Sequence, residues 1–158
     1  MKRVSACTAV IVTLLAATPA FAAVTSAPVS AAGITREEMV QLMTQRGWSA
    51  KIDKDSSGTP VVSSRVNGVN FDMYFYECTR GRCTDIQFAA GWSNAKVTPD
   101  QINQWNTTKR FLRAYWKPGN ILWTEMDARI ALGSTGNIDE YLALWPQMLH
   151  EFTSFMHI

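Results

Sequence analysis

Apolar and polar positions along this chain fall into blocks with distinct periods, and each block reads as one element. At Thr35-Arg36-Glu37-Glu38, Thr35 can accept from the Glu38 amide while Glu38 reaches back, which is a capping box; Ile34 and Met39 sit where a hydrophobic staple needs them. Met39, Leu42 and Met43 then recur at helical spacing, and Gly47 supplies the left-handed stop. Trp48 to Asp53 alternates weakly as a first strand, and Asp55-Ser56-Ser57-Gly58 is a turn. Val61 to Val66 and Val69 to Cys78 alternate on either side of Asn67-Gly68, the strongest short-range hairpin signal.

The two-residue turn fixes a register: Val66 opposite Val69, Ser64 opposite Phe71, Val62 opposite Met73. A second turn checks it independently. Setting Cys78 opposite Cys83, across the loop Thr79-Arg80-Gly81-Arg82, brings Phe75 to Ile86 and Met73 to Phe88. Both hairpins then share one greasy face, while Tyr76 meets Asp85 and Tyr74 meets Gln87 on the other.

Thr98-Pro99-Asp100-Gln101 opens a second helix, ending near Asn106, with Pro99 at its first position and a Thr98/Gln101 box. Phe111 to Trp116 and Ile121 to Leu132 make another hairpin around Lys117-Pro118-Gly119-Asn120. In its second strand Leu122, Met126, Ala128, Ile130 and Leu132 face the core, and Trp123, Glu125, Asp127 and Arg129 face outward. From Asn137 a last helix carries a wide apolar stripe through Leu142, Trp145, Leu149 and Phe152. Pro146 lies inside it and predicts a kink or a break near Leu142. The order α-β-β-β-β-α-β-β-α predicts an α+β domain: an antiparallel sheet of about five to six strands with helices packed on one face.

The chain start changes the picture of compartment. Met1-Lys2-Arg3, an apolar run from Val4 to Ala17 and Ala20-Phe21-Ala22 are the three parts of a Sec-type signal peptide, residues 1–22. The apolar run falls short of the ~20 residues that span a bilayer, which weighs against an uncleaved anchor. Residues 23–33 are small and read as a flexible leader, leaving 34–158 as one domain. No later segment is apolar enough to span a membrane, so the expected localisation is periplasmic. The precursor has 15 Lys+Arg against 13 Asp+Glu, and losing Lys2 and Arg3 leaves 13 of each. A near-neutral domain has no basic footprint for nucleic acid; Arg80/Arg82 and Lys109-Arg110 with Arg113 read as solvated local charge.

Cys7 leaves with the signal peptide, so Cys78 and Cys83 remain, opposite each other in an oxidising compartment, and are expected to form a disulfide. A redox pair or a metal site is the alternative, but the spacing is not Cys-x-x-Cys and no helix start lies beside it. Catalytic chemistry is thin. His150 and His157 sit seven apart on the polar side of the last helix; no nucleophile elbow, phosphate loop or dinucleotide fingerprint occurs. No catalytic residue, cofactor or metal ligand is therefore assigned. Glu125 and Asp127 share a strand face and could serve a small hydrolase as paired surface carboxylates, or form an ion-pair ladder with Arg129 and Arg113. The outward face also carries Tyr74, Tyr76 and Trp123, the mixture of aromatic and polar groups that a binding surface uses, or that a half-wet sheet simply tolerates.

An ordered set of landmarks carries a resemblance. Gly47-Trp48 ending the first helix, Phe71-Asp72-Met73-Tyr74-Phe75-Tyr76-Glu77-Cys78 followed by Cys83-Thr84-Asp85-Ile86-Gln87-Phe88, and Ile102-Asn103-Gln104-Trp105-Asn106 before Arg110-Phe111-Leu112-Arg113-Ala114-Tyr115 resemble the YbjN domain family of bacterial proteins, in its exported branch, over nearly all of 34–158. The resemblance implies a type III secretion chaperone-like fold, dimeric in many of those chaperones, and a label as a sensory transduction regulator without agreed catalytic residues. A signal peptide and the Cys78/Cys83 pair set this chain apart from cytoplasmic members. The function these readings imply is a non-enzymatic periplasmic binding module, chaperone-like or regulatory, whose partner is a protein or peptide, or a second copy in a homodimer.

Overall fold

The computed structural model describes residues 33–130 and 136–158; the expected signal peptide 1–22, the leader up to residue 32 and Leu132 lie outside the described residues. Three helices, α1 (Arg36–Gln45), α2 (Pro99–Thr108) and α3 (Gly136–Met156), accompany six strands: β1 (Ala50–Lys54), β2 (Pro60–Val66), β3 (Val69–Thr79), β4 (Arg82–Ser93), β5 (Arg113–Lys117) and β6 (Ile121–Arg129). They follow the expected α+β order. The strands form one antiparallel sheet in the order β1-β2-β3-β4-β6-β5.

Capping chemistry starts the first two helices. Thr35 Oγ1 accepts from the Glu38 amide at 3.2 Å and the Thr35 amide donates to Glu38 Oε2 at 3.0 Å. The same box joins Thr98 and Gln101. α2 runs two residues past Asn106, to Thr108. α3 is one helix through Pro146, not two. Leu142 and Trp145 before the proline, and Leu149 and Phe152 after it, are all buried in one core. That shared packing outweighs a local cost of about 3 kcal/mol.

Both hairpin registers are as the turns dictate: Val66 faces Val69, Ser64 faces Phe71 and Val62 faces Met73. Cys78 faces Cys83, Phe75 faces Ile86 and Met73 faces Phe88. The second turn is tighter than expected. Thr79 pairs with Arg82, leaving only Arg80 and Gly81 in the loop. Both have positive φ, 53° and 81°, as a two-residue hairpin turn of the primed type requires. β5 starts at Arg113 rather than Phe111. Phe111 has a φ of 70° inside a three-residue turn, closed by the Leu112 amide donating to the Arg110 carbonyl at 2.9 Å.

The core lies between the sheet and the helices. Trp145 of α3 sits with its ring centroid 5.5 Å from that of Phe71 and 5.4 Å from that of Phe88. Phe152 meets Trp92 at 5.5 Å and Trp105 at 5.1 Å, so α3 ties the C-terminal end of β4 to α2. The Trp105 indole N–H donates to the Leu112 carbonyl at 2.8 Å, which satisfies its polar edge in the core. Trp145 Nε1 has no such partner.

Three pieces of chain meet at the disulfide end of the β3–β4 hairpin. Cys78 and Cys83 are bonded. Ile34 exchanges two backbone hydrogen bonds with Cys83, at 3.0 and 2.9 Å. Gly33, with φ of 97°, lets the chain pass so close that an added Cβ would lie 2.4 Å from the Cys83 carbonyl oxygen. Arg82 Nη2 reaches both carboxylate oxygens of Glu38, at 2.9 and 2.8 Å, and locks α1 to the same corner.

One sheet edge is covered by a side chain. Asn106 of α2 donates from Nδ2 to the Ala114 carbonyl at 2.9 Å and accepts the Ala114 amide on Oδ1 at 3.0 Å. It meets the outward-facing backbone of β5 as a neighbouring strand would.

Candidate functional site

The helices cover one face of the sheet and leave the other open, and alternation decides which side chains the open face receives. Cross-strand pairing sets Lys51, Ser63, Asp72, Ala89, Glu125 and Arg113 in one transverse row across all six strands. Cations, Lys51 and Arg113, sit at its two ends, and carboxylates, Asp72 and Glu125, sit inside it. A groove of about 730 Å³ lies over this face, lined by Lys51, Asp53, Ser63, Asp72, Ala89, Gly91 and Trp123 among others. The groove has room because Ser63, Ala89 and Gly91 place little or no side chain on its floor.

Glu125 is the centre of this face. It is 5% exposed, although its strand position points away from the helices. The expectation of two comparable surface carboxylates is corrected here: Asp127, two residues on, keeps a side chain 61% exposed. The reason is the cross-strand company. Arg113 Nε donates to Glu125 Oε1 at 2.5 Å, while Tyr115 Oη and Trp123 Nε1 each donate to Oε2 at 3.0 Å. Arg113 also pairs with Asp127 at 3.4 Å. A buried carboxylate is tolerable only with such partners. The bond to Glu125 raises the Arg113 pKa further above its usual value. Burial, then the bond to Glu125, pushes the Tyr115 hydroxyl up to about 12.

Trp123 belongs to this cluster. Its ring lies against Gly91, where an added Cβ would come within 2.8 Å of Cε3. Lys117 Nζ stands 3.8 Å from the ring centroid, a cation–π contact. Gly91 is therefore a glycine for space. Tyr74 and Tyr76 form a second group on β3, opposite Gln87 and Asp85. Trp123 faces Gly91, four residues further along β4 than Gln87, about 14 Å at the usual strand rise. The three aromatics are thus not one patch: two lie on one side of the acidic row and one on the other. Burial first, then the charges of Asp72 and Asp55, pushes the Tyr74 hydroxyl up to about 12. Tyr76 is raised chiefly by burial and then by Glu125 and Asp127.

Tyr115, Gly91 and Lys117 are not among the site residues read from the sequence. Counting outward from a four-residue Lys117-Pro118-Gly119-Asn120 turn pairs Trp116 with Ile121; in the structure Lys117 itself pairs with Ile121, and this one-residue shift sets Tyr115 opposite Trp123 and Arg113 opposite Glu125. His150 and His157 are both exposed on or just beyond α3. Among the described residues, no three His, Cys, Asp or Glu side chains gather as a metal site, and no helix is long and apolar enough to cross a membrane.

A family model, YbjN, described as a putative bacterial sensory transduction regulator, matches residues 35–157. The chain belongs to the YbjN family. No curated protein and no solved structure matches it. The YbjN match spans every described element from α1 to α3, so the open face and its Glu125 cluster lie within the family domain. The description points to a regulatory or binding domain and names no enzyme activity.

Proposed function

We propose that this YbjN domain is a non-enzymatic binding module of the periplasm that takes a segment of a partner protein on the open face of its sheet. The observation that supports it is a six-stranded sheet with one face free of helices among the described residues, carrying a groove lined in part by Trp123, with Tyr74 and Tyr76 further along β3 on the same face. Small side chains in the groove leave room for a chain to lie across the strands, and the charged row offers partners for its backbone and polar groups. Exposed aromatic side chains beside polar groups are what recognition surfaces use. A chaperone-like or regulatory role would follow from holding such a segment. Export rests on the signal-type start of the chain and on two cysteines that pair in the mature domain.

Nothing in the geometry favours a hydrolase built on Glu125 and Asp127. Both Glu125 oxygens already accept hydrogen bonds from Arg113, Tyr115 and Trp123, leaving the carboxylate no reach toward a substrate.

The test is an array of overlapping peptides from envelope proteins, probed with the mature domain and with a Tyr74→Ala/Tyr76→Ala variant of unchanged circular dichroism. Binding that disappears in the variant supports the open face; equal binding by both moves the site elsewhere. Cell fractionation with thiol counting tests the compartment. The expected result is a periplasmic protein with no free thiol before reduction and two after.

A further inference from the structure

The sheet has two edges, and they are treated differently. Asn106 bonds the Ala114 amide and carbonyl on β5, whereas among the described residues no side chain of another element bonds the outward backbone of β1. The direction of the β1 backbone follows from the pairing. The two-residue turn makes Val66 and Val69 a hydrogen-bonded pair, so Val62 and Ser64 point their backbone groups at β3. Ile52, opposite Val62, and Ala50, opposite Ser64, then point theirs away from β2. The Asp55 amide bonding to the Thr59 carbonyl at 3.0 Å fixes the same phase from the other end. Among the described residues, Ala50, Ile52 and Lys54 thus present a free edge, on which only the Lys54 amide is engaged, by Asp53 Oδ1 at 2.9 Å. Ile52 is 46% exposed, an isoleucine left at the margin of the core.

We propose that a second copy of this chain pairs with this edge, β1 antiparallel to β1 about a two-fold axis through Ile52, to give a continuous sheet across a homodimer. Three features carry this. The edge is short but self-complementary in hydrogen bonding: Ile52 would meet Ile52 of the second copy as a hydrogen-bonded pair, with Ala50 opposite Lys54 on either side. The same register sets Lys51 opposite Asp53 of the second copy, twice, on the open face, at the closer-spaced non-hydrogen-bonded positions where opposite charges stabilise a pair. Within one chain these two side chains already form an ion pair with each other. Registers shifted by two residues either way would oppose Lys51 to Lys51 or Asp53 to Asp53, so charge selects one alignment. The two isoleucines would cover each other on the helix side. The inference is independent of what the open face binds.

The experiment is sedimentation velocity of the mature protein across a concentration series, with four variants. Wild type is expected to double in mass with rising concentration. Ile52→Pro removes an amide that β2 does not use, and is expected to stay folded and monomeric. Lys51→Asp and Asp53→Lys each oppose like charges and are expected to be monomeric alone. Mixed one to one they restore both ion pairs and are expected to form the heterodimer, and the doubly swapped chain is expected to dimerise by itself. A wild type that stays monomeric at every concentration, a dimer that survives Ile52→Pro, or single variants that fail to associate on mixing would each overturn the proposal.

Discussion

The two faces of one sheet are held by different physics. On the helix side, Phe71, Met73, Phe88 and Met126 are stabilised by the area that α1, α2 and α3 remove from water. On the open side, Glu125 is as hidden as many core residues, yet no helix covers it; it is shielded by Arg113, Tyr115 and Trp123, the groups that bond to it. The first face tolerates any shape that fills it. The second depends on a hydrogen-bond set around one charge, and removing a member strands the others.

That contrast can be broken first where it is strongest. Phe88→Ala, which empties a ring from between Phe71 and Trp145, is expected to cost about 3–5 kcal/mol in urea unfolding. Replacing both Cys78 and Cys83 by Ser is expected to cost about 2 kcal/mol, since the closed loop is short, with the open-face cluster unchanged. Glu125→Ala is expected to cost about 1–3 kcal/mol by leaving the Trp123 and Tyr115 donors without their acceptor, and to shift tryptophan fluorescence. Asp127→Ala, on the same strand face, should stay within about 0.5 kcal/mol; an equal cost for the two carboxylates would erase the distinction between them.

A pH titration sharpens the comparison without mutation. The Tyr74 and Tyr115 hydroxyls, ordinarily ionising near 10, are pushed up to about 12. The fold favours their neutral forms, so the stability they add is complete below pH 10 and is lost as pH climbs from 10 towards 12. Ultraviolet absorbance of tyrosinate should show these two lagging in the native protein and joining the rest in urea.

Legibility in the sequence followed the same divide. The β2–β3–β4 ladder could be read residue by residue, because Asn67-Gly68 admits one turn geometry and alternation then fixes every partner. The α1 and α2 starts were equally readable from their capping boxes. Glu125 and Asp127 could not be told apart, since strand period gives both the same face and only their neighbours on β5 and in the β6 row decide burial. Pro146 misled in the opposite sense: a local rule about helices yielded to the core on both sides of it. Phe111 likewise reads in the sequence as the first residue of a strand, a place its positive φ excludes.

Asn106 has a consequence for how far association can proceed. By answering the Ala114 amide and carbonyl itself, it acts as a chain terminator at the β5 edge. On the pairing proposed for β1, a molecule with one adhesive edge would join a copy of itself once, and the dimer would keep none. Asn106→Ala would restore a second one, and units with two can be strung end to end without closure, the geometry of a fibre. On that pairing, one amide side chain would separate a finite particle from a polymer.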